Sequence, residues 1–433
     1  MTNNKSPWGR FLTCLGAKAG CKPAPRAIAF IILLSLISSA FTDEPEALDF
    51  VVHTAAGTDF TGPLRKLAAD GSVRLGGDRP ALVAGQDVVT VRRQGHALPG
   101  FPRSHAVILT HGDRVPLSPE FPVRLEQGRL HWQLPAPLRT PLGPELKVPR
   151  AFVAALWLTA PEGEPDLVPE RLLGEKRSRD LVILRNGDRV EGTLTAIDPK
   201  RGCLIDAGSR KVEVGLGQVA AVIFNTDLQA RIRPQKQYTH LVLQGGGRLG
   251  FASLQLEAGS QVLQGKTLFG VKLEVPVTQL ASLEPRLGRV DYLSDLEPKA
   301  YEHTPFMGIS WPLVRDASAT GRPLCLAGST YDKGLGTHSQ CRVSYALNGA
   351  YQWFETLVGL DEHTGRRGRV RLQVLVDGKE QELQAHKELT GKEAPLALRI
   401  DVRKARELTL VVGFGSFGDV QAHVNWGQAR LIR

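Results

Sequence analysis

The chain has 433 residues, 42% apolar and 23% charged, with 45 glycines, 28 prolines and a formal net charge of +10. That length exceeds one ordinary domain, and the composition is globular, which excludes a disordered or collagen-like chain. Turn formers scattered among alternating β-branched stretches predict an all-β protein.

The N-terminus reads as a targeting segment. Lys5, Arg10, Lys18, Lys22 and Arg26 precede any acid, and the apolar run Ala27–Phe41 follows, with small residues at Ser38, Ser39 and Ala40. A basic leader, a short apolar run and small residues together predict a signal peptide over 1–40, cut after Ala40. The mature chain is then secreted, periplasmic or at the cell surface. The run is shorter than the ~20 residues of a membrane span, so no stable transmembrane span is expected after cleavage; the alternative is an uncleaved anchor helix. Cys14 and Cys21 precede the run instead of following it, which disfavours a lipoprotein. Losing five basic residues leaves a formal charge of +5. That is too mild to require nucleic acid, and no nucleic-acid partner is expected.

Three cysteines remain after cleavage: Cys203, Cys325 and Cys341. An oxidising compartment permits one disulfide, and Cys325–Cys341 is the pair within one domain; two buried free thiols are the alternative. No CxxC or Cys/His metal spacing occurs.

From 49 to 286 the chain reads as diverged copies of one small β unit. The clearest copy spans 180–225: an apolar strand, the turn Asn186-Gly187-Asp188, a second and third strand, and a closing pair of apolar runs. The same order recurs over 238–286, with Gly245-Gly246-Gly247 at the turn, and over 106–160, with His111-Gly112-Asp113. A more degenerate copy covers 49–92. Such turns tolerate positive φ and favour hairpins. The unit resembles the small barrels of the Sm-like and SH3-like kind; a continuous sandwich or solenoid of the same hairpins is the alternative. Pro161–Arg179 is charged and Pro-bearing and reads as a linker. Ala300–Asp316 joins the units to the last domain or forms a strap leading into it.

The last domain, 289–433, shows short alternating strands at regular spacing: RVSYAL, WFETLVGL, RVRLQVLVDG, LALRIDV, ELTLVVGF and HVNWGQARLI. They predict a two-sheet sandwich or jelly roll.

Five strings here resemble the NPCBM family of carbohydrate-binding modules: YLSDLEP (Tyr292–Pro298), YDKGLGTHSQCRVSYALNGAYQWFETLVGLDE (Tyr331–Glu362), GRVRLQVLVDGKE (Gly368–Glu380), ELTLVVGF (Glu407–Phe414) and HVNWGQARL (His423–Leu431). The resemblance implies a galactose-binding-like jelly roll that holds a glycan or polysaccharide on loops at one end, beside a glycosidase or another extracellular module. Some members hold a structural calcium ion. The family often places acids just before the final His and just before the Trp, where this chain has Ala422 and Asn425. That departure puts calcium in doubt, and no other cofactor is implied.

A sugar site combines an aromatic platform with amide, carboxylate or imidazole partners. The candidates are His338, Asp361, Glu362, His423, Asn425 and Trp426. For each a plain structural role competes: His338 capping a buried loop, Trp426 and Trp353 packing in the core, Asp361-Glu362 forming a solvated loop, and Gly334 and Gly336 making a tight turn. The basic cluster Arg366, Arg367, Arg369 and Arg371 fits either an acidic or sulfated glycan or a solvated loop. No GxSxG, HExxH, Walker or GxGxxG motif occurs in a fitting context, and no carboxylate pair is marked as a glycosidase would need. Three readings follow: a non-catalytic exported binding protein, a hydrolase with an unrecognised catalytic region, or an envelope module that only assembles partners.

Overall fold

The computed structural model describes residues 48–433 except 166, 231, 307, 366 and 384–387. The signal peptide expected over 1–40 and Arg366 of the basic cluster lie outside the described residues. The described chain is all-β, with one short α-helix, Pro169–Leu173, and single 3₁₀ turns.

The upstream half is built from barrel-like units. Residues 49–93 run as four strands, Asp49–Thr54, Asp59–Leu67, Val73–Leu75 and Ala81–Val83, then the 3₁₀ turn Gly85–Asp87 and a fifth strand, Val88–Arg93. The fifth strand returns to pair with the first, which curls the unit into a barrel. Residues 180–223 and 238–286 follow the same pairing order. In 106–157 the second strand is interrupted into Arg114–Pro116 and Arg124–Glu126. The hairpin turns obey their sequence: Gly187 has φ +90°, and Asn186 Oδ1 accepts from Asp188 N at 3.1 Å.

Closing strands pair with closing strands. Val153–Trp157 lies antiparallel to Val219–Ile223, and Leu280–Arg286 lies antiparallel to Val88–Arg93. All four units share one core that includes Phe50, Trp132, Phe224 and Phe251. Val219–Ile223 is buried on both faces, because Leu172 of the helix packs with Trp157, Ala221 and Ile223 on its outer side. The segment Pro161–Arg179 is therefore more than a linker.

The last domain is a sandwich. One sheet orders Val314–Arg315, Gly334–His338, His423–Ile432, Trp353–Leu360 and Leu396–Asp401, with Val290–Tyr292 added to the long final strand. The other orders Ala300–His303, Cys341–Ala346, Glu407–Phe414 and Arg369–Val376, with short pieces at its edge. Phe354, Tyr345, Val374, Leu410 and Trp426 fill the space between. Ala300–Asp316 is part of this sandwich and gives an edge strand to each sheet.

Gly334 and Gly336 do not make a turn. Both lie inside a strand, and a Cβ on Gly336 would sit 2.3 Å from the Ala317 carbonyl oxygen, so the glycine is needed for close passage of the backbone above it. The hairpin Leu324–Leu326 and Ser329–Tyr331 covers the outer face of the same sheet, Tyr331 resting on Gly427.

The sandwich is seated firmly on the barrel-like units. Ala55 and Val89 pack with Val290, Tyr292 and Ile432, and Leu98 packs with Leu324, Leu326 and Tyr331. Burial of each valine, leucine or isoleucine among them contributes about 2 kcal/mol. Asp332 meets Arg248 at 3.1 Å and His240 at 3.2 Å. Burial alone would raise the Asp332 pKa, but Arg248 and His240 hold the carboxyl well below its usual range.

Candidate functional site

Strand register brings three distant pieces of sequence together. His338, at the end of Gly334–His338, stands directly opposite His423 at the start of the final strand. Leu360 pairs with Val424 on the other side, so Asp361 falls just past that strand end, where its N–H donates to the His423 carbonyl at 2.9 Å. Period-two alternation then sends Val424 and Trp426 into the core and leaves His423 and Asn425 on the other face.

The two imidazoles belong to an aromatic box. Trp311 stacks on His338 with centroids 4.7 Å apart and planes 13° from parallel. His423 meets both rings edge-on, at 4.5 Å from His338 and 4.8 Å from Trp311. His303 closes the group 6.3 Å from His338, and its Nδ1 accepts from the Trp311 N–H at 3.4 Å. Tyr301 fixes the strap by donating to the Trp311 carbonyl at 2.7 Å. Asp419 lies 3.2 Å from His338 Nδ1 and accepts from Ser339 Oγ at 2.6 Å.

Burial, aided by His423, pushes the His338 pKa down to about 4, and burial lowers that of His423. Both rings are neutral at pH 7, each with one donor and one acceptor nitrogen. His338 is only 1% exposed, and both His423 nitrogens are buried without a hydrogen-bond partner among the described residues. The imidazole pair is thus a support beneath the surface, with half-buried Trp311 stacked on it. Above it, the loops that carry Trp311 and Asp419 expose Phe306, Ile309, Phe417 and Val420, with the Arg369 guanidinium 4.4 Å over the Phe417 ring. An aromatic rim on a rigid polar base suits the apolar face and fixed hydroxyls of a sugar.

Asp361, Glu362 and Asn425 form a neighbouring group. Asp361 is wholly buried; its Oδ1 accepts from the His363 N–H and from Asn425 Nδ2, both at 3.2 Å. Asn425 Nδ2 also donates to the Cys325 carbonyl at 3.3 Å. Glu362 is exposed and accepts from the Gly328 N–H at 3.0 Å. Asp361 and Glu362 line a cavity of about 200 Å³ beside Lys392. Asp361 Oδ2 and Asn425 Oδ1 are buried without donors among the described residues. Calcium needs six to eight oxygens. Among the described residues no group of three or more His, Cys, Asp or Glu is arranged to hold a metal.

Trp426 is fully buried in the sandwich core, its indole N–H donating to Thr337 Oγ1 at 3.1 Å. Trp353 sits at the junction beneath Arg399, 4.3 Å from the ring centroid. Arg369 of the basic cluster is engaged with Glu388 at 3.2 Å.

The Cys325–Cys341 disulfide is corrected: both thiols are free. Cys325 lies on the covering hairpin with Sγ 3.3 Å from Glu362, whereas Cys341 starts a strand of the opposite sheet and packs in the core. Burial pushes both thiols up to about 12, with Glu362 adding to the effect at Cys325.

Sequence reading missed Trp311, His303 and Asp419. The only available signal was a lone Trp before a Pro, Trp311-Pro312, in a strap without alternation.

Residues 289–432 match the family model described as NPCBM/NEW2 domain. A protein of Renibacterium salmoninarum named "Putative endo-alpha-N-acetylgalactosaminidase" is 27% identical over 116 residues, which cover 27% of this chain and 8% of that relative's length. Among solved structures, CBM51 from Clostridium perfringens GH95 in complex with methyl-galactose is 28% identical, with 33% of this chain and 99% of that one covered and a TM-score of 0.29. CBM51-2 with GlcNAc and INT domains from Clostridium perfringens ZmpB is 23% identical, covering 43% of this chain and 44% of that one, with a TM-score of 0.31. The last third of the chain, residues 289–432, is an NPCBM/NEW2 domain.

Proposed function

We propose that this is an exported, non-catalytic protein that binds carbohydrate through the loop end of its C-terminal sandwich. The observation that carries the reading is the NPCBM/NEW2 match over 289–432. It is supported by the aromatic rim over the Trp311–His338–His423 box, which offers a sugar a stacking surface on a rigid base. In this reading 49–92, 106–160, 180–225 and 238–286 are diverged copies of one β unit and act as a scaffold that holds the binding module. A hydrolase reading is less well supported. Of the buried carboxylates, Glu284 is held by Arg286 at 2.7 Å and Glu355 by Arg430 at 2.8 Å, while Asp361 accepts from Asn425 and the His363 N–H. A glycosidase acid must instead be free to exchange a proton.

The test is a glycan array probed with the chain lacking residues 1–40. Binding to a defined set of glycans is expected, with release of no sugar. Trp311→Ala should weaken that binding by about tenfold, the loss of one stacking contact. No binding to any glycan would overturn the reading in favour of an envelope-assembly role, and released sugar would favour the hydrolase.

A further inference from the structure

A cleft of about 260 Å³ lies where the sandwich meets the first barrel-like unit. It is separate from the loop end: Gln428 and Arg430 on its wall are five and seven residues along the strand from His423, about 17 and 23 Å at the rise of a strand.

The lining is cationic. His53 and Arg92 come from the first unit, and Arg399 and Arg430 from the sandwich, against one carboxylate, Glu355. Glu355 is already saturated. Its Oε1 takes Arg399 Nη1 and lies 3.2 Å from His53 Nε2, and its Oε2 accepts from Arg430 Nε at 3.0 Å and Nη2 at 2.8 Å. Glu284, buried behind it, accepts from Arg286 at 2.7 Å, Gln428 at 2.5 Å and Tyr292 at 3.3 Å. The Arg92 charge acts on Glu284, but neither acid accepts a hydrogen bond from Arg92 Nε or Nη2.

Arg92 is the unmatched group. Its Nε and Nη2 are buried and have no hydrogen-bond partner among the described residues. Those two nitrogens form one edge of the guanidinium, the edge whose two parallel N–H bonds match the two oxygens of a carboxylate. Leaving them unpaired is costly, so a carboxylate that completes them gains more than the same contact at an exposed arginine. The Arg92 guanidinium lies 5.5 Å from the Tyr331 ring centroid, and Tyr331, Leu357 and Leu398 give the cleft an apolar wall. Gln428 and Thr356 stand beside them. The volume is at the small end of ligand sites and suits one monosaccharide.

We infer that this junction cleft binds a sugar acid, its carboxylate on the free edge of Arg92 and its ring against Tyr331 and Leu398. The inference stands on the cleft alone and does not depend on binding at the loop end.

The test uses the chain lacking residues 1–40, titrated calorimetrically with D-glucuronate and with D-glucose at low salt. Glucuronate is expected to bind one site and glucose about tenfold more weakly or worse, the ratio set by one charge-assisted pair. Arg92→Gln should weaken glucuronate by a similar factor, and Lys272→Gln, an exposed cation elsewhere, should not. Ala397→Trp obstructs the mouth from an exposed position without removing a charge and should also abolish binding, which covers the case of a poorly folded Arg92 variant. No binding of glucuronate, equal binding of glucose, or affinity retained in Ala397→Trp would overturn the assignment.

Discussion

Glu355 and Arg430 stand directly opposite one another on neighbouring strands, and Arg430 clasps Oε2 of Glu355 with both Nε and Nη2, at 3.0 and 2.8 Å. The pair lies on the outer face of the sandwich sheet, where His53 of the first barrel-like unit reaches the same carboxylate. Burial would raise the Glu355 pKa, but the hydrogen bond from His53 and the charge of Arg430 bring it down to about 2. Glu355→Gln leaves Arg430 buried without its counter-charge and should lower stability by about 3 kcal/mol in chemical denaturation. A loss below roughly 0.5 kcal/mol, the level of an exposed pair, would show that the network is not sealed from water.

The hydrogen bond to Glu355 also raises the pKa of His53, against a smaller opposing effect of burial. A raised histidine stabilises the fold fully below its unfolded value of 6.5 and loses that contribution as pH climbs through the folded value. His53→Gln should therefore flatten the decline of melting temperature on the alkaline side of pH 6.5, read by calorimetry from pH 6 to 9.

His338 acts in the opposite direction. Its folded pKa of about 4 lies below the model-peptide value of 6.5, so the unfolded chain takes up a proton that the folded chain refuses. Stability should fall as pH drops from 6.5 to about 4, by up to roughly 3 kcal/mol. His338→Asn should reduce that slope. An unchanged slope would mean that His338 is charged in the folded protein.

Trp426 and Trp311 should separate core from surface. Trp426→Ala opens a large hole between the sheets and should cost about 3–5 kcal/mol. Trp311→Ala should shift melting much less than it shifts glycan affinity. Equal effects of the two variants on stability would place Trp311 in the core as well.

Thiol titration of the denatured chain lacking residues 1–40 should count three free thiols, Cys203, Cys325 and Cys341, and a reductant should leave the melting temperature unchanged. A count of one would restore the disulfide.

Much of this was written in local sequence. Alternation in His423–Ile432 fixes which side chains enter the core, and the turn at Asn186-Gly187-Asp188 announces a hairpin. The meeting of His338, Asp361 and His423 follows once the NPCBM strings set the strand order. Trp311 was not legible, because its place depends on a hydrogen bond from Tyr301 and on stacking with a residue 27 positions away, neither of which leaves a periodic trace. Glu355 and Arg430 were not legible either. On a strand they occupy positions that normally face water, and only the first barrel-like unit turns that face inward. The Cys325–Cys341 pairing failed for a related reason: sixteen residues of separation say nothing about which layer each thiol occupies.

The pairing of Val88–Arg93 with Leu280–Arg286 has a consequence for how the chain is made. Strands almost two hundred residues apart must find each other, and such long loops close slowly. A chain emerging during synthesis presents Val88–Arg93 with one edge bare until the fourth unit has followed it out. During that interval the edge can recruit a strand from another molecule. Slow or crowded synthesis should therefore yield exchanged dimers joined through this edge, and the first unit completes its architecture only when nearly two thirds of the polypeptide has emerged.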